Sequence, residues 1–415
     1  MSNVNYHQMS VDHPILLQTM KKVLVLLSLM LFIAGGVRAE NSLTLYGIID
    51  TGLQYLNTSE NVSDGRARET FFGIANGVQS GSRFGLRGVH DMGNGNQTLF
   101  VLENGFNSAN GQFGQGGLLF GRQATLSYKN IDLGQLDLGR QINLASNYLL
   151  AIDPFVEGFG QANIGASFGT ANTVRYSNML LFQTRPLEGL TFGMGYSFAT
   201  ELTGIYTNNG SCVVATCRAA NAGYQFEPGN NLRAVTLGAT YAKGPLLLVA
   251  AYDQLQGPNN IPDGPPKPNP TAWLVAGAYN FQVAKVSVAY GQTRNGAWGG
   301  QPPGTGATNG SLLANTTLGA GAIFTPGTAA NSYFLGANIP VTPTSNALAS
   351  VQLMQPIGDS VLRPESATQA IYSVGYTYNF TRRTNLYTYA SYGSNYSMVK
   401  SAQSTVVGVG VRHQF

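Results

Sequence analysis

Arginines at 83, 122, 140 and 175 and carboxylates at Asp50 and Glu103 stand inside or beside segments of alternating apolar residues. In "SRFGLRG" an extended chain puts Phe84 and Leu86 on one side and Arg83 and Arg87 on the other. "FGRQA", "LGRQ" and "NTVRYS" carry Arg122, Arg140 and Arg175 in the same way. Fixed charges opposite an apolar face act by electrostatics on whatever passes or binds on the wet side. Covalent chemistry has weaker support. "GASFG" (165–169) matches the G-x-S-x-G nucleophile pattern around Ser167, which requires a strand–turn–helix and a distant His and acid. Beyond the first 39 residues only His90 and His413 are available, both in or beside alternating segments. The sequence names no catalytic residue, no metal ligand set and no cofactor.

The elements that must hold these charges are strands. The C-terminal "VVGVGVRHQF" sets Val407, Val409, Val411, His413 and Phe415 on one side and Val406, Gly408, Gly410, Arg412 and Gln414 on the other. "LTFGMGYSFAT" alternates equally cleanly, with Leu190, Phe192, Met194, Tyr196 and Phe198 against Thr191, Gly193, Gly195, Ser197 and Ala199. Sixteen such segments of about ten residues run from "SLTLYGIIDTGLQYL" to the end, joined alternately by short turns and long polar loops. Charged residues make up 10% of the chain and glycines number 52, so an ordinary soluble surface is not available to a protein of 415 residues. No run of 18 apolar residues is present for a spanning helix. The expected fold is all-β: a 16-stranded antiparallel transmembrane barrel with short periplasmic turns and long extracellular loops.

Closure follows from unsatisfied backbone. In hydrocarbon each orphan N–H or C=O costs several kcal/mol, so the first and last strands must pair. The terminal strand therefore seals against 42–56, with Phe415 in an aromatic belt alongside Tyr376, Tyr378, Phe380, Tyr387 and Tyr389. A charge facing lipid is costly as well, so the strand arginines and Asp50 and Glu103 belong in the lumen.

Residues 1–39 read as an export signal. Lys21 and Lys22 precede an apolar run from Val23 to Ala34, and a small-residue site ends at Ala39. Residues 1–19 precede a better start at Met20 and look like an over-extended start, leaving 40–415 as the barrel. Without Lys21, Lys22, Arg38 and Asp12 the chain carries +2 net, from 23 basic and 19 acidic residues overall, which implies no nucleic-acid partner. Cys212 and Cys217, in "GSCVVATCRA", read as a loop disulfide in an exported chain; a metal pair is the alternative, with no His or acidic residue nearby to complete it.

Seven stretches in order, "SLTLYGIIDTGLQY", "SRFGLRGVHDMGNG", "FVLENGFN", "GRQATLSY", "DLGRQ", "NFTRRTNLYTYASY" and "GVGVRHQF", resemble the general porins of β-proteobacteria and Neisseria across 40–415. The resemblance implies an outer-membrane homotrimer for passive diffusion of small hydrophilic solutes and ions, in contact with outer-membrane lipid and lipopolysaccharide. It implies that loop 141–171 folds inward as a constriction, and that Arg83 and Arg122 lie on a basic wall. That wall extends by the inward rule to Arg140 and Arg175. Asp153 and Glu157 of "AIDPFVEGFG" are expected opposite it, with Asp50 and Glu103 as further lumen charges. Phe415 resembles the terminal signal read by the barrel assembly machinery. Where family members often carry one more arginine, "SFGTANTVRY" has Gly169, which leaves ion preference open. A substrate-specific outer-membrane channel is the alternative reading.

Overall fold

The computed structural model describes residues 41–62, 65–200, 203–208, 211–213, 232–257, 268–298, 321–357 and 366–415. The export signal, Cys217 and the side chain of Cys212 lie outside the described residues, and with them the disulfide. Residues 41–415 form one unit, built on a single 19-stranded sheet.

Sixteen of these strands make a closed antiparallel barrel. It begins with Ser42–Val62, Arg83–Gly93, Asn96–Gly105, Gln123–Asn130, Gly134–Ile142, Arg175–Thr184 and Leu190–Ser197. It continues through Arg233–Lys243, Leu246–Gln256, Thr271–Asn280, Lys285–Trp298, Gly321–Thr342, Ser345–Ile357, Gln369–Asn379 and Thr384–Ser394 to Gln403–Gln414. Of the other strands, Gly65–Asn76 pairs with Thr51–Val62 and so prolongs the wall above Arg83–Gly93. Thr203–Asn208 and Ser211–Val213 form a small hairpin.

The seam is a full ladder. Ser42–Val62 meets Gln403–Gln414 in register from Ile48↔Gln414 to Ser59↔Gln403, so the first and last strands of the barrel close on each other. The alternation expected of the closing strand is present: Val407, Val409 and Val411 are 42–45% exposed, whereas Val406, Gly408 and Gly410 are buried.

Two expectations need correction. Tyr376, Tyr378 and Phe380 are exposed on the outer face, but Tyr387 and Tyr389 are 1% and 2% exposed and point inward. In "NLYTYASY" both sides carry apolar groups, so a two-residue period cannot say which one meets lipid. The neighbouring strand decides: Tyr387 and Tyr389 are registered with Gly410 and Gly408, whose missing side chains leave room for the rings. Second, Arg122 of "FGRQA" is not within a strand: the strand begins at Gln123, which places Arg122 in the connection at its end.

Loop 143–174 enters the barrel. Asn143 caps the short helix Leu144–Leu149, its side chain accepting from the Ser146 N–H at 3.2 Å. Leu144 and Tyr148 pack against Gly193 and Gly238, where a Cβ would come within 2.6–2.9 Å of their side chains. Gly193 and Gly238 therefore give the helix its bed on the inner wall. Three short 3-10 turns carry the chain onward to Ala171.

Candidate functional site: the lumen constriction

The loop is fastened strand by strand to the inner wall. At its start the Leu144 N–H donates to Thr236 Oγ1 at 3.2 Å, and Asn143 Nδ2 donates to Asp253 Oδ1 at 3.1 Å. Tyr176 donates its hydroxyl to the same Asp253 oxygen at 3.3 Å. Lys285 Nζ donates to the Ala151 carbonyl. Further along, Ser332 Oγ donates to the Ser167 carbonyl at 2.6 Å. Gln352 Nε2 donates to the carbonyls of Ala162 and Asn163 at 3.0 and 3.1 Å. Gln161 Nε2 reaches Ser391 Oγ at 3.1 Å. These partners run from the strand Arg233–Lys243 round to Thr384–Ser394, so the loop is fastened along one long arc of the lumen.

The arginines lie on the strands and connections between Arg83 and Arg175, outside that arc. Two of them share Glu103: Arg122 donates from Nε to Glu103 Oε1 at 2.7 Å and Arg83 Nη1 lies 3.8 Å from the same oxygen, while the Tyr46 hydroxyl donates to Oε2 at 3.0 Å. Arg175 donates from Nε to the Arg122 carbonyl at 2.9 Å. Arg140 donates to the Gly121 carbonyl and to Ser177 Oγ, both at 2.7 Å. Carbonyl and hydroxyl oxygens position the Arg175 and Arg140 guanidiniums. The structure thus brings together Arg83, Arg122, Arg140, Arg175 and Glu103, all named from sequence.

The other carboxylates sit elsewhere. Asp153 is 3% exposed and turned into the loop, where its oxygens accept the backbone N–H groups of Phe155, Glu157 and Ile164 at 2.9–3.0 Å. Burial outweighs those donors and pushes its carboxyl up to about 6. Glu157 is buried too. Its own desolvation, then the nearby Asp153 charge, raise its carboxyl well above the usual range, against the opposing pull of Arg175. Neither is a water-facing charge of the kind expected opposite the arginines. The two-sided rule that places strand residues has no purchase in a loop.

Asp50 is fully buried at the seam, accepting the Ser80 N–H at 2.7 Å and the Tyr387 hydroxyl at 2.6 Å. Arg412, registered directly opposite Asp50, is close enough for its charge to act on both Asp50 and Arg83. The inward side of the closing strand was readable as containing Arg412, but its partners stand at the other end of the chain. Ser167, the residue of the G-x-S-x-G match, is fully buried in the loop against Ser332 and Gln369.

Comparison with known proteins bears on this arrangement directly. The family model of the Gram-negative porins matches residues 25–397. An outer membrane porin protein of Bordetella pertussis is 42% identical over 405 residues, covering 95% of this chain and all of the relative. Outer membrane porin protein 32 of Delftia acidovorans is 28% identical over 397 residues, covering 94% and 92% of the two chains. Among solved structures, the anion-selective porin from Comamonas acidovorans superposes with a TM-score of 0.65 at 23% identity, over 91% of this chain and all of that one. A closed sixteen-stranded barrel, a loop folded against its inner wall and near-complete alignment with such relatives lead to one conclusion: the chain belongs to the Gram-negative porins, passive-diffusion channels of the outer membrane.

Proposed function

We propose that the channel passes small hydrophilic solutes through a gap between loop 141–171 and the arc of Arg83, Arg122, Arg140 and Arg175, and that it prefers anions. One observation carries the reading. Arg83 and Arg122 share a single carboxylate, Glu103, with Arg175 held on the Arg122 carbonyl and Arg140 on the neighbouring Gly121 carbonyl, while Asp153 and Glu157 of the facing loop are buried within it. An anion entering the gap gains attraction that offsets part of its lost hydration, and a cation meets the opposite field. Asp50 contributes as a structural node, its charge engaged by Ser80 and Tyr387.

The same reading takes the protein as non-enzymatic. The described histidines, His90 and His413, contact Asn41 and Thr384, and Ser167 has neither beside it. It takes 1–39 as removed on export, 40–415 as the mature barrel, Cys212–Cys217 as a loop disulfide, and the working form as a homotrimer in outer-membrane lipid and lipopolysaccharide. Phe415 serves as the terminal signal for the assembly machinery.

Reversal potentials of the purified protein in planar bilayers under a potassium chloride gradient test the central claim. A potential on the chloride side supports it; one on the potassium side refutes it.

A further inference from the structure

The tip of the loop holds a conformation that its residues do not favour. Val156, Glu157 and Phe159 have φ of 52°, 53° and 61°, and Gly160 follows at 60°. Non-glycine residues avoid this left-handed region, and a cluster of them persists only when the surroundings over-determine it. The surroundings here are aromatic. The Phe159 ring is 1% exposed, with centroids of Phe155, Tyr387 and Tyr389 at 5.5, 5.4 and 5.3 Å and interplanar angles of 75°, 84° and 69°. Edge-to-face packing from three sides is a favourable geometry for such rings.

The cage is built on the place where the barrel closes. Tyr387 and Tyr389 lie over Gly410 and Gly408 of the closing strand, where a Cβ would come within 2.2 and 2.5 Å of the rings. Tyr387 also donates to Asp50 on the first strand. The Phe159 N–H donates to the Val78 carbonyl, and Gly158 approaches the Gln79 carbonyl so closely that a Cβ would stand 2.2 Å from it. Phe159 therefore ties the loop by its backbone to the turn after Gly65–Asn76, and by its ring to Thr384–Ser394 and, through Tyr387 and Tyr389, to the closing strand.

We infer that Phe159 is the positioning residue that latches the loop tip to the barrel seam. Its effect on permeation rests on the reading that this loop sets the width of the channel. The latch itself stands on the cage alone.

The test uses the mature chain with a nitroxide at position 156, a half-exposed site in the parent, in a background without Cys212 and Cys217. Parent, Phe159→Ala, Phe159→Leu and Gly408→Ala are compared by nitroxide mobility, by the ratio of trisaccharide to monosaccharide entry into liposomes, and by heat-dependent electrophoretic mobility. Emptying a closed aromatic cage raises the unseated fraction by about a hundredfold. Phe159→Ala should mobilise the nitroxide and raise the sugar ratio about threefold or more, while the folded band persists; Phe159→Leu should fall between. Gly408→Ala reaches the same end from the other side, by displacing Tyr389 without touching the loop, and serves alone if Phe159→Ala does not assemble. A nitroxide as immobile in Phe159→Ala and Gly408→Ala as in the parent overturns the latch. Mobilisation with an unchanged sugar ratio upholds the latch and overturns the loop as the element that sets pore width.

Discussion

The backbones of Phe415 and Gly47 exchange two hydrogen bonds of 3.1 Å each, and the Phe415 ring occupies the space where a Gly47 side chain would begin, 2.2 Å from an ideal Cβ. The last residue of the chain is thus a full member of the sheet, paired as tightly as any interior position and covering a bare stretch of its neighbour's outer face. A frayed terminus is the usual fate of a chain end. A closed barrel cannot accommodate one without opening its ladder.

Phe415→Ala keeps the backbone pair and loses the ring. With the ring about half exposed on the outer face, the loss should be about 1–2 kcal/mol, below the range for a fully buried Phe. Gly47→Leu should be the more damaging change, because both the ring and the strand must move. Heat-dependent electrophoretic mobility reads both: the folded band should convert at lower temperature in the order parent, Phe415→Ala, Gly47→Leu. A parent-like Gly47→Leu would show that the ring is not seated there.

Arg83→Ala combined with Arg122→Ala removes two of the four charges and opens the space they fill. A unit charge 4 Å from a passing ion is worth about 1 kcal/mol even in water, so the anion-to-cation permeability ratio should fall about fivefold or more, with larger single-channel conductance. Planar-bilayer recordings indistinguishable from the parent would remove these residues from the constriction.

Glu103→Gln works in the opposite direction. The carboxylate is the common partner of Arg122, Arg83 and Tyr46, and neutralising it leaves the guanidiniums facing one another. Anion preference should rise, and stability should drop by about 1–3 kcal/mol as a partly buried pair is broken. A reversal potential displaced toward cations would contradict the assignment.

Loop seating should depend on pH through Asp153. Its carboxyl titrates near 6 in the folded loop, above the ordinary value of about 3.9, so the folded loop favours the neutral form. The stabilisation is complete below about pH 4 and is lost as pH rises through about 6. Open-channel noise should grow between pH 4 and 7, and Asp153→Asn, which cannot ionise, should flatten the dependence. Equal noise across that range in the parent would argue against the titration.

The barrel was readable because alternation repeats in every strand and closure is forced by lipid. Arg83 was readable for the same reason: Phe84 and Leu86 fix which way it points. Convergence on Glu103 was not, since it depends on a register between strands that no single segment encodes. Asp153 and Glu157 show the limit most plainly. Their composition announced acidity, but a loop has no period, and only packing decides whether a carboxylate meets water or its own backbone. Tyr387 and Tyr389 went to the wrong face because their neighbours are also apolar; Gly408 and Gly410, registered opposite, held the answer.

The partners of Gln161 are Ser391 and Ser404, more than 200 positions later in the chain. Contacts so distant along the polypeptide form late, since the intervening segment must first be gathered in. The aperture therefore cannot take its final shape on a partly made molecule. A truncated or stalled chain would have arginines and a loop but no bed for the loop to lie in, so permeability control and completion of the polypeptide arrive together.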